Sequence, residues 1–414
     1  MRLTCKISTL RPSMRDFPPE LVEFTLDFLH DDRQSLVRCS EVCRSWVPPS
    51  RFHLSSLVFR LLSFCGSSAL TNAPNHSDTW LLDLLSSPLC TFAPFAARRI
   101  CICSVSSAAA LQELDRSKLS RCPDSVFAYA RALHLKSSLW DADMAAIAAG
   151  SKLNPMTCAN LTEMTLSCVW FQSVRDFTAL LASFPGIRRL RLDRVHWRDV
   201  EEGRLVAPSI ECMRDLRILH VDYGCSRVVD FLRHLKPGAL PHLSAFHLKS
   251  ADVELDPSLD MTEFSPVFAP ALEQVEVGFY VLNPSSLRKY RVNLSCNTSL
   301  RSLHLSQIHL QGPGSSITDR DYVDWITAIL SSVHSVFIQN IRFGIWMNAA
   351  EDLDSLNWTE IGRTLRSAAF GTLQLVQIEL FGLWCTDEEK EHTEKRVSEG
   401  LGTGMVYNLT FVWH

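Results

Sequence analysis

Ile187-Arg-Arg-Leu190-Arg-Leu192 and Leu216-Arg-Ile-Leu219-His-Val221 are two copies of one short phrase. An apolar residue is followed, three positions on, by an apolar pair split by a polar one. The phrase recurs at Leu161, Met164 and Leu166, at Leu243, Phe246 and Leu248, at Leu272, Val275 and Val277, and at Leu300, Leu303 and Leu305. From 161 to 300 the first positions follow one another at 26, 29, 27, 29 and 28 residues. Weaker copies stand at Ala97, Ile100 and Ile102, at Ala130, Leu133 and Leu135, at Val333, Val336 and Ile338, and at Leu373, Val376 and Ile378, where intervals of 33 and 40 imply insertions. The split pair reads as a short strand with two inward side chains. Between strands, 174–181, 228–235 and 322–330 place apolar residues at helical spacing, and Pro185-Gly186 and Pro237-Gly238 follow two of these stretches.

A near-constant period of this length is the signature of leucine-rich repeats, at the long end of their range. Each strand–helix unit leaves apolar surface open at both ends, so neighbours stack. The expected fold is α/β: an irregular leucine-rich-repeat solenoid over 95–414 with a parallel sheet on its concave face. The Asn usual after the strand is mostly absent, and Cys168, Arg194, Gly224 and Gln307 stand there, which implies degenerate repeats. The residue between the two anchors points to the exposed side of the sheet. His134, His220, His247 and His304 hold that position, either as a ladder of binding side chains or simply as outward polar residues. Arg189, Arg191, Asp193, Asp222, Glu276 and Gly278 flank it, and a client protein is the expected ligand of so extended a surface.

Residues 16–58 stand apart. Phe17-Pro18-Pro19-Glu20-Leu21 opens a helix, because a Pro at the first turn gives up an N–H that has no partner. Leu21, Phe24 and Phe28, with Leu29 beside them, make one apolar face. Asp31-Asp32 caps a second helix carrying Leu36, Cys39, Val42, Cys43 and Trp46, which Pro48-Pro49 ends. So small a unit buries little alone and leans on a partner or a neighbouring domain. The phrases at 17–21, Leu26-Asp-Phe-Leu29 and Val42-Cys-Arg-Ser-Trp46 resemble an F-box, and His30-Asp-Asp-Arg33 is similar to the large F-box-like families of mushroom-forming fungi. Phe17 stands where that family usually has Leu. The resemblance implies docking on the Skp-type adaptor of a cullin-based ubiquitin ligase through Phe17, Pro18, Pro19, Leu21, Leu29, Val42 and Trp46, with a client held by the repeats. The alternative is a stand-alone scaffold whose N-terminal helices only cap the solenoid. Residues 59–94 read as a linker with capping helices, including an exposed loop at 71–77 and a helix starting at 80–85.

The 414 residues are 46% hydrophobic and 21% charged, enough apolar material for a sizeable core. With 41 Lys plus Arg against 45 Asp plus Glu, a nucleic-acid binder is not the first expectation. No run is long and apolar enough to span a bilayer, and the start shows no secretory pattern. The 14 Cys are scattered and read as free, mostly buried thiols of a cytoplasmic or nuclear protein. Six Asn-X-Ser/Thr triplets, at Asn75, Asn160, Asn293, Asn297, Asn357 and Asn408, are the one feature favouring secretion. The chain contains no P-loop, no G-x-S-x-G elbow and no H-E-x-x-H, so a non-enzymatic role without cofactor or metal is expected. Cys39 and Cys43 lack the second pair a zinc site needs. The Gly-rich 400–404 reads as a connector before a last strand at 409–413, 387–396 as a solvated helix, and 312–316 as a loop.

Overall fold

The computed structural model describes residues 19–29, 32–42, 46–47, 50, 62–65, 98–120, 122, 124–151, 153–154, 156–198, 213–225, 228, 231–232, 235–236, 238–250, 271–279, 292–310, 319–382, 386–402, 404 and 406–413. Phe17, Pro18, His30, Asp31, Cys43, Pro48-Pro49, Ala97 and the segments 71–77, 80–85 and 312–316 lie outside them. The fold is mixed α/β, with a long parallel sheet.

Strands β1 (Leu62–Cys65), β2 (Arg99–Cys103), β3 (Ala132–Trp140), β4 (Glu163–Phe171), β5 (Arg189–Asp193), β7 (Ile218–Val221), β8 (Ala245–Ser250), β9 (Gln274–Phe279), β10 (Ser302–His309), β11 (Asn340–Met347), β12 (Leu375–Gly382) and β13 (Tyr407–Trp413) pair in chain order. The two-residue β6 (His196–Trp197) pairs with the far end of β4. A parallel pair needs a crossover, and the intervals between phrases supply it. One crossover is the helix Val174–Ser183, opened by a reciprocal cap between Ser173 and Asp176. Its Phe177, Leu180 and Leu181 join the strand anchors in one continuous core. All-parallel sheets are usually covered on both faces and read as unbroken apolar runs. Here the strands alternate, as in the exposed–buried–exposed–buried course of β5, so one face is packed and the other is polar.

Several strands do more than the phrase foretold. In β4, Met164 and Leu166 point inward, and then Val169 and Phe171 do, so the parity changes between them. The change falls on Cys168, whose φ is +54°. Ser137 (+50°) does the same in β3 and Gln307 (+59°) in β10. Ser104 (+57°) and Arg194 (+51°) occupy the equivalent place after β2 and β5. A left-handed residue other than Gly costs about 1–2 kcal/mol. The second inward pair, such as Val169 with Phe171, returns about 1.5–3 kcal/mol for each side chain, so burial wins. These left-handed bends thus fall on Ser, Cys, Arg and Gln. Gly224 is also left-handed, at +66°, but sits three residues after Val221 rather than two.

Three readings need correction. The copy at Val333, Val336 and Ile338 is misplaced: Val336 is exposed, and β11 turns Ile341 and Phe343 inward, so its phrase is Ile338, Ile341 and Phe343. The segment 59–94 contains β1, paired with β2 in register Leu62–Ile100 and Phe64–Ile102, so the sheet begins before residue 95. The stretch 387–396, read as a solvated helix, runs on to Leu401 and buries Thr393, Val397 and Leu401 on one side, while Lys390 pairs with Asp387 and Arg396 with Asp354.

Among the described cysteines, Cys101, Cys122, Cys158 and Cys225 are buried and outside any disulfide, and Cys296 is exposed. Burial pushes Cys158 up to about 11 and Cys225 to about 12, so both are inert. Of the glycosylation triplets, Asn297 is buried, Asn357 caps the helix Trp358–Leu365, and Asn160 donates to the Ala128 carbonyl at 2.7 Å. Among the described residues no helix is long and apolar enough to cross a membrane.

Candidate functional site: the polar sheet face and the helical pair

Strand register places Arg191, His220, His247, Glu276, His304, Arg342 and Gln377 in one row across the polar face. These are the between-anchor positions of successive phrases. The four histidines do not form one ladder. His220 and His247 stack, with ring centroids 4.1 Å apart at 13°. Glu276 separates His247 from His304. His134 lies on β3, with Thr165 and Arg191 between it and His220, and contacts the Ser167 hydroxyl at 3.1 Å.

Glu276 is the hub of the row. Its Oε2 lies 2.8 Å from His247 Nδ1, and its Oε1 lies 2.9 Å from Lys249 Nζ and 3.1 Å from His304 Nδ1. Burial opposes its ionisation, but the bonds from His247, His304 and Lys249 outweigh burial and hold the carboxyl far below the usual range. Burial, with His247 and Arg191 nearby, pushes His220 down to about 4, so this ring is neutral at pH 7. On either side, Arg191 Nε donates to buried Asp222 at 2.7 Å, and Arg342 pairs with buried Glu379. The carboxylates lie underneath, and the half-exposed guanidinium groups face outward.

One row further along the strands, Lys249, Gly278 and Ser306 are neighbours, and Gly344 pairs with Glu379. The two glycines leave a floor without side chains. A Cβ on Gly278 would collide with the Ser306 hydroxyl, and one on Gly344 would lie 3.4 Å from His304 Nε2 and 3.6 Å from Phe381. Above this floor is a recess of about 520 Å³, walled on one side by Trp346 and Phe381, which stack at 4.9 Å and 17°. His304 Nε2, the Ser306 hydroxyl and Arg342 Nε are buried there without a hydrogen-bond partner. A buried donor or acceptor left unpaired is costly, so these groups suit a polar occupant. Among the described residues no group of His, Cys, Asp and Glu has the arrangement of a metal site.

Of the other polar residues read from the phrases, Asp193 pairs with Arg194 at 3.2 Å and Arg189 with Glu163 at 3.1 Å. Lys249, Ser306, Arg342, Trp346, Glu379 and Phe381 escaped the reading. Once the β11 phrase is set at Ile338, Ile341 and Phe343, Arg342 falls at the between-anchor position and Trp346 follows on the same face.

The helices α1 (Pro19–Phe28) and α2 (Arg33–Val42) form the second surface. Asp32 caps α2, its Oδ1 accepting from the Gln34 and Ser35 amides at 3.0 and 3.1 Å. Val22, Leu26 and Leu36 are buried together, and Leu29, Cys39 and Trp46 pack against them. The apolar face read from Leu21, Phe24 and Phe28 is therefore not the packed one. Leu21 is 50% exposed, Phe24 71% and Phe28 82%, and on α2 Val37 is 41% and Val42 48% exposed. Of the residues named for adaptor docking, Leu21 and Val42 lie on the open side, Leu29 and Trp46 support the pair from within, and Pro19 begins α1.

No family model matches the chain, and no curated protein matches it. A solved structure of a structural-genomics target from Bacteroides fragilis is 11% identical, with 81% of this chain and 72% of that chain covered and a TM-score of 0.22. So slight a likeness bears on neither fold nor role.

Proposed function

We propose that the chain is the substrate-recognition subunit of a Skp–cullin–F-box type ubiquitin ligase, built as an F-box-like helical unit followed by a leucine-rich-repeat solenoid that includes β1. The observation that carries this reading is the open apolar side of the helical pair. Five large apolar side chains, Leu21, Phe24, Phe28, Val37 and Val42, stand exposed on two short helices whose buried cluster, among the described residues, is Val22, Leu26 and Leu36. Leu21, Phe24 and Phe28 share one face of α1 by their spacing, and exposed apolar side chains in this number on two short helices support a protein-binding surface. The same two helices carry the F-box-like phrases. Among the described residues their buried cluster is separate from the core of the sheet.

The client would lie on the polar sheet face, and the protein would act by proximity, raising the local concentration of charged ubiquitin carrier near client lysines. The test is binding of a purified Skp-type adaptor to the full-length chain, beside a Leu21→Ala/Phe24→Ala/Phe28→Ala variant. All three side chains are exposed, so the variant keeps the packed cluster. Binding by the wild type and its loss in the variant support the reading. A folded wild-type protein that does not bind sinks it.

A further inference from the structure

The edge of the sheet where the strands begin carries a charge pattern that the overall composition conceals. Successive backbone bonds join Arg131 to Arg98, Thr162 to Arg131, Arg188 to Thr162, Arg217 to Arg188 and Ser244 to Arg217, each at 2.8–2.9 Å. Four of the first five residues of this transverse row are thus arginines. The next row adds Arg99 and Arg189 on either side of Ala132 and Glu163. All six arginines are exposed. Among the described residues, only Arg189 is paired with a carboxylate, that of Glu163. In a chain of net charge -4, six guanidinium groups against one carboxylate among the described residues of these two rows from β2 to β7 form a concentrated positive patch, and the first row brings its next carboxylate, Glu273, only beyond Ser244. A recess of about 660 Å³ lies among Arg131, Arg188, Arg189 and Arg217.

The small residues between the arginines distinguish two kinds of polyanion. The Thr162 and Ser244 hydroxyls already donate to the Arg131 and Arg217 carbonyls, and Asn160 donates its amide to Ala128. The two hydroxyls are left with acceptor oxygens, and Asn160 with its Oδ1 and one further amide N–H, so acceptors outnumber donors among these three groups. Acceptors match the main-chain N–H groups of a peptide and oppose phosphate oxygens. From β2 to β7 the row spans about 19 Å at ordinary strand spacing, the length of about six extended residues.

We propose that this edge is a docking surface for an acidic peptide segment, its carboxylates held by Arg98, Arg131, Arg188 and Arg217 and its amides by Asn160, Thr162 and Ser244. The inference concerns a different surface from the helical pair and stands whether or not that pair docks an adaptor.

The test is fluorescence anisotropy of the full-length protein with a labelled Glu-rich dodecapeptide, its Gln counterpart, and a labelled single-stranded oligouridylate of similar charge. The Glu peptide should bind at least tenfold more tightly than either of the others. Raising NaCl from about 50 to about 500 mM should weaken that binding at least tenfold, since exposed charges are screened. Arg131→Glu/Arg188→Glu/Arg217→Glu should lose it at least tenfold, whereas Arg116→Glu/Arg175→Glu/Arg363→Glu, the same charge change on other exposed arginines, should alter it less than threefold. Circular dichroism on both variants separates loss of binding from loss of fold, and Arg131→Gln/Arg188→Gln/Arg217→Gln repeats the test with a milder change. Equal binding of the Gln peptide, tighter binding of the oligouridylate, or equal losses in the two reversed variants would each overturn the proposal.

Discussion

His220 and His309 make the stability of this protein depend on pH in a direction that can be worked out. Burial pushes both rings from 6.5 down to about 4, and at His220 the neighbouring His247, Arg191 and Lys249 push the same way while Glu276 opposes them. In the unfolded chain both would take up a proton near 6.5. Below that pH the unfolded state therefore binds more protons than the folded one, and stability falls as pH drops from 7 towards 4. The loss is about 2 kcal/mol per histidine at pH 5 and about 3 kcal/mol below pH 4. Unfolding at pH 5 should take up about 0.9 proton for each ring. The assay is proton uptake on urea unfolding in a pH-stat at pH 5 and at pH 7, which does not require a two-state transition. His220→Gln and His309→Gln should each remove nearly one proton of uptake at pH 5 and only about a quarter of a proton at pH 7. Each should also cost about 1 kcal/mol at pH 7, because the rings stack on His247 at 4.1 Å and Trp346 at 5.6 Å. If both variants take up as many protons at pH 5 as the wild type, the argument is wrong.

Phe171→Ala should cost about 3–5 kcal/mol, read as a lower thermal midpoint, because the ring is fully buried and packs edge-on against Phe177 at 5.4 Å. Ser173→Ala should cost about 1 kcal/mol and speed amide exchange in the first turn of the 174–183 helix, since the Asp176 amide loses the Ser173 hydroxyl as its acceptor while the Ser173 amide keeps its bond to the Asp176 carboxylate. Glu276→Gln should destabilise by about 2 kcal/mol, leaving Lys249 without its partner over a buried floor. Adding Lys249→Met should recover part of that loss in chemical denaturation, and no recovery would show that the ion pair is not the cause.

Much of the sheet was legible because the Leu-x-x-Leu-x-Leu phrase reports a physical constraint, two inward side chains per strand at each turn of the chain. Leu190 with Leu192 and Leu303 with Leu305 sit where that constraint puts them. The second inward pairs were hidden because the parity change runs through left-handed Ser, Cys, Arg and Gln, residues whose identity does not announce that conformation. The β11 phrase was misread because Val336 is apolar yet exposed, so the pattern matched five residues too early. The helical pair inverted for a related reason. Leu21, Phe24 and Phe28 keep helical spacing, but so do Val22, Leu26 and Leu29, and spacing alone cannot say which stripe a short helix buries and which it leaves for a partner. At the polar face, Glu276 and His247 were named from position, whereas the recess depends on glycines at 278 and 344 coming side by side with Ser306, which only register reveals.

The chain-order pairing of the strands also governs how the molecule resists force. Among the described residues, apart from the short β6, each strand is bonded only to the strands before and after it, and no pairing ties one end of the sheet to the other. A pull on the C-terminus would load the β12–β13 interface first and reach β11 only after that interface had failed. A force–extension trace should then show a sequence of small ruptures, each releasing about one crossover length of chain, rather than a single large event. A protein built this way can be drawn out piecemeal from its end while the units further in stay folded.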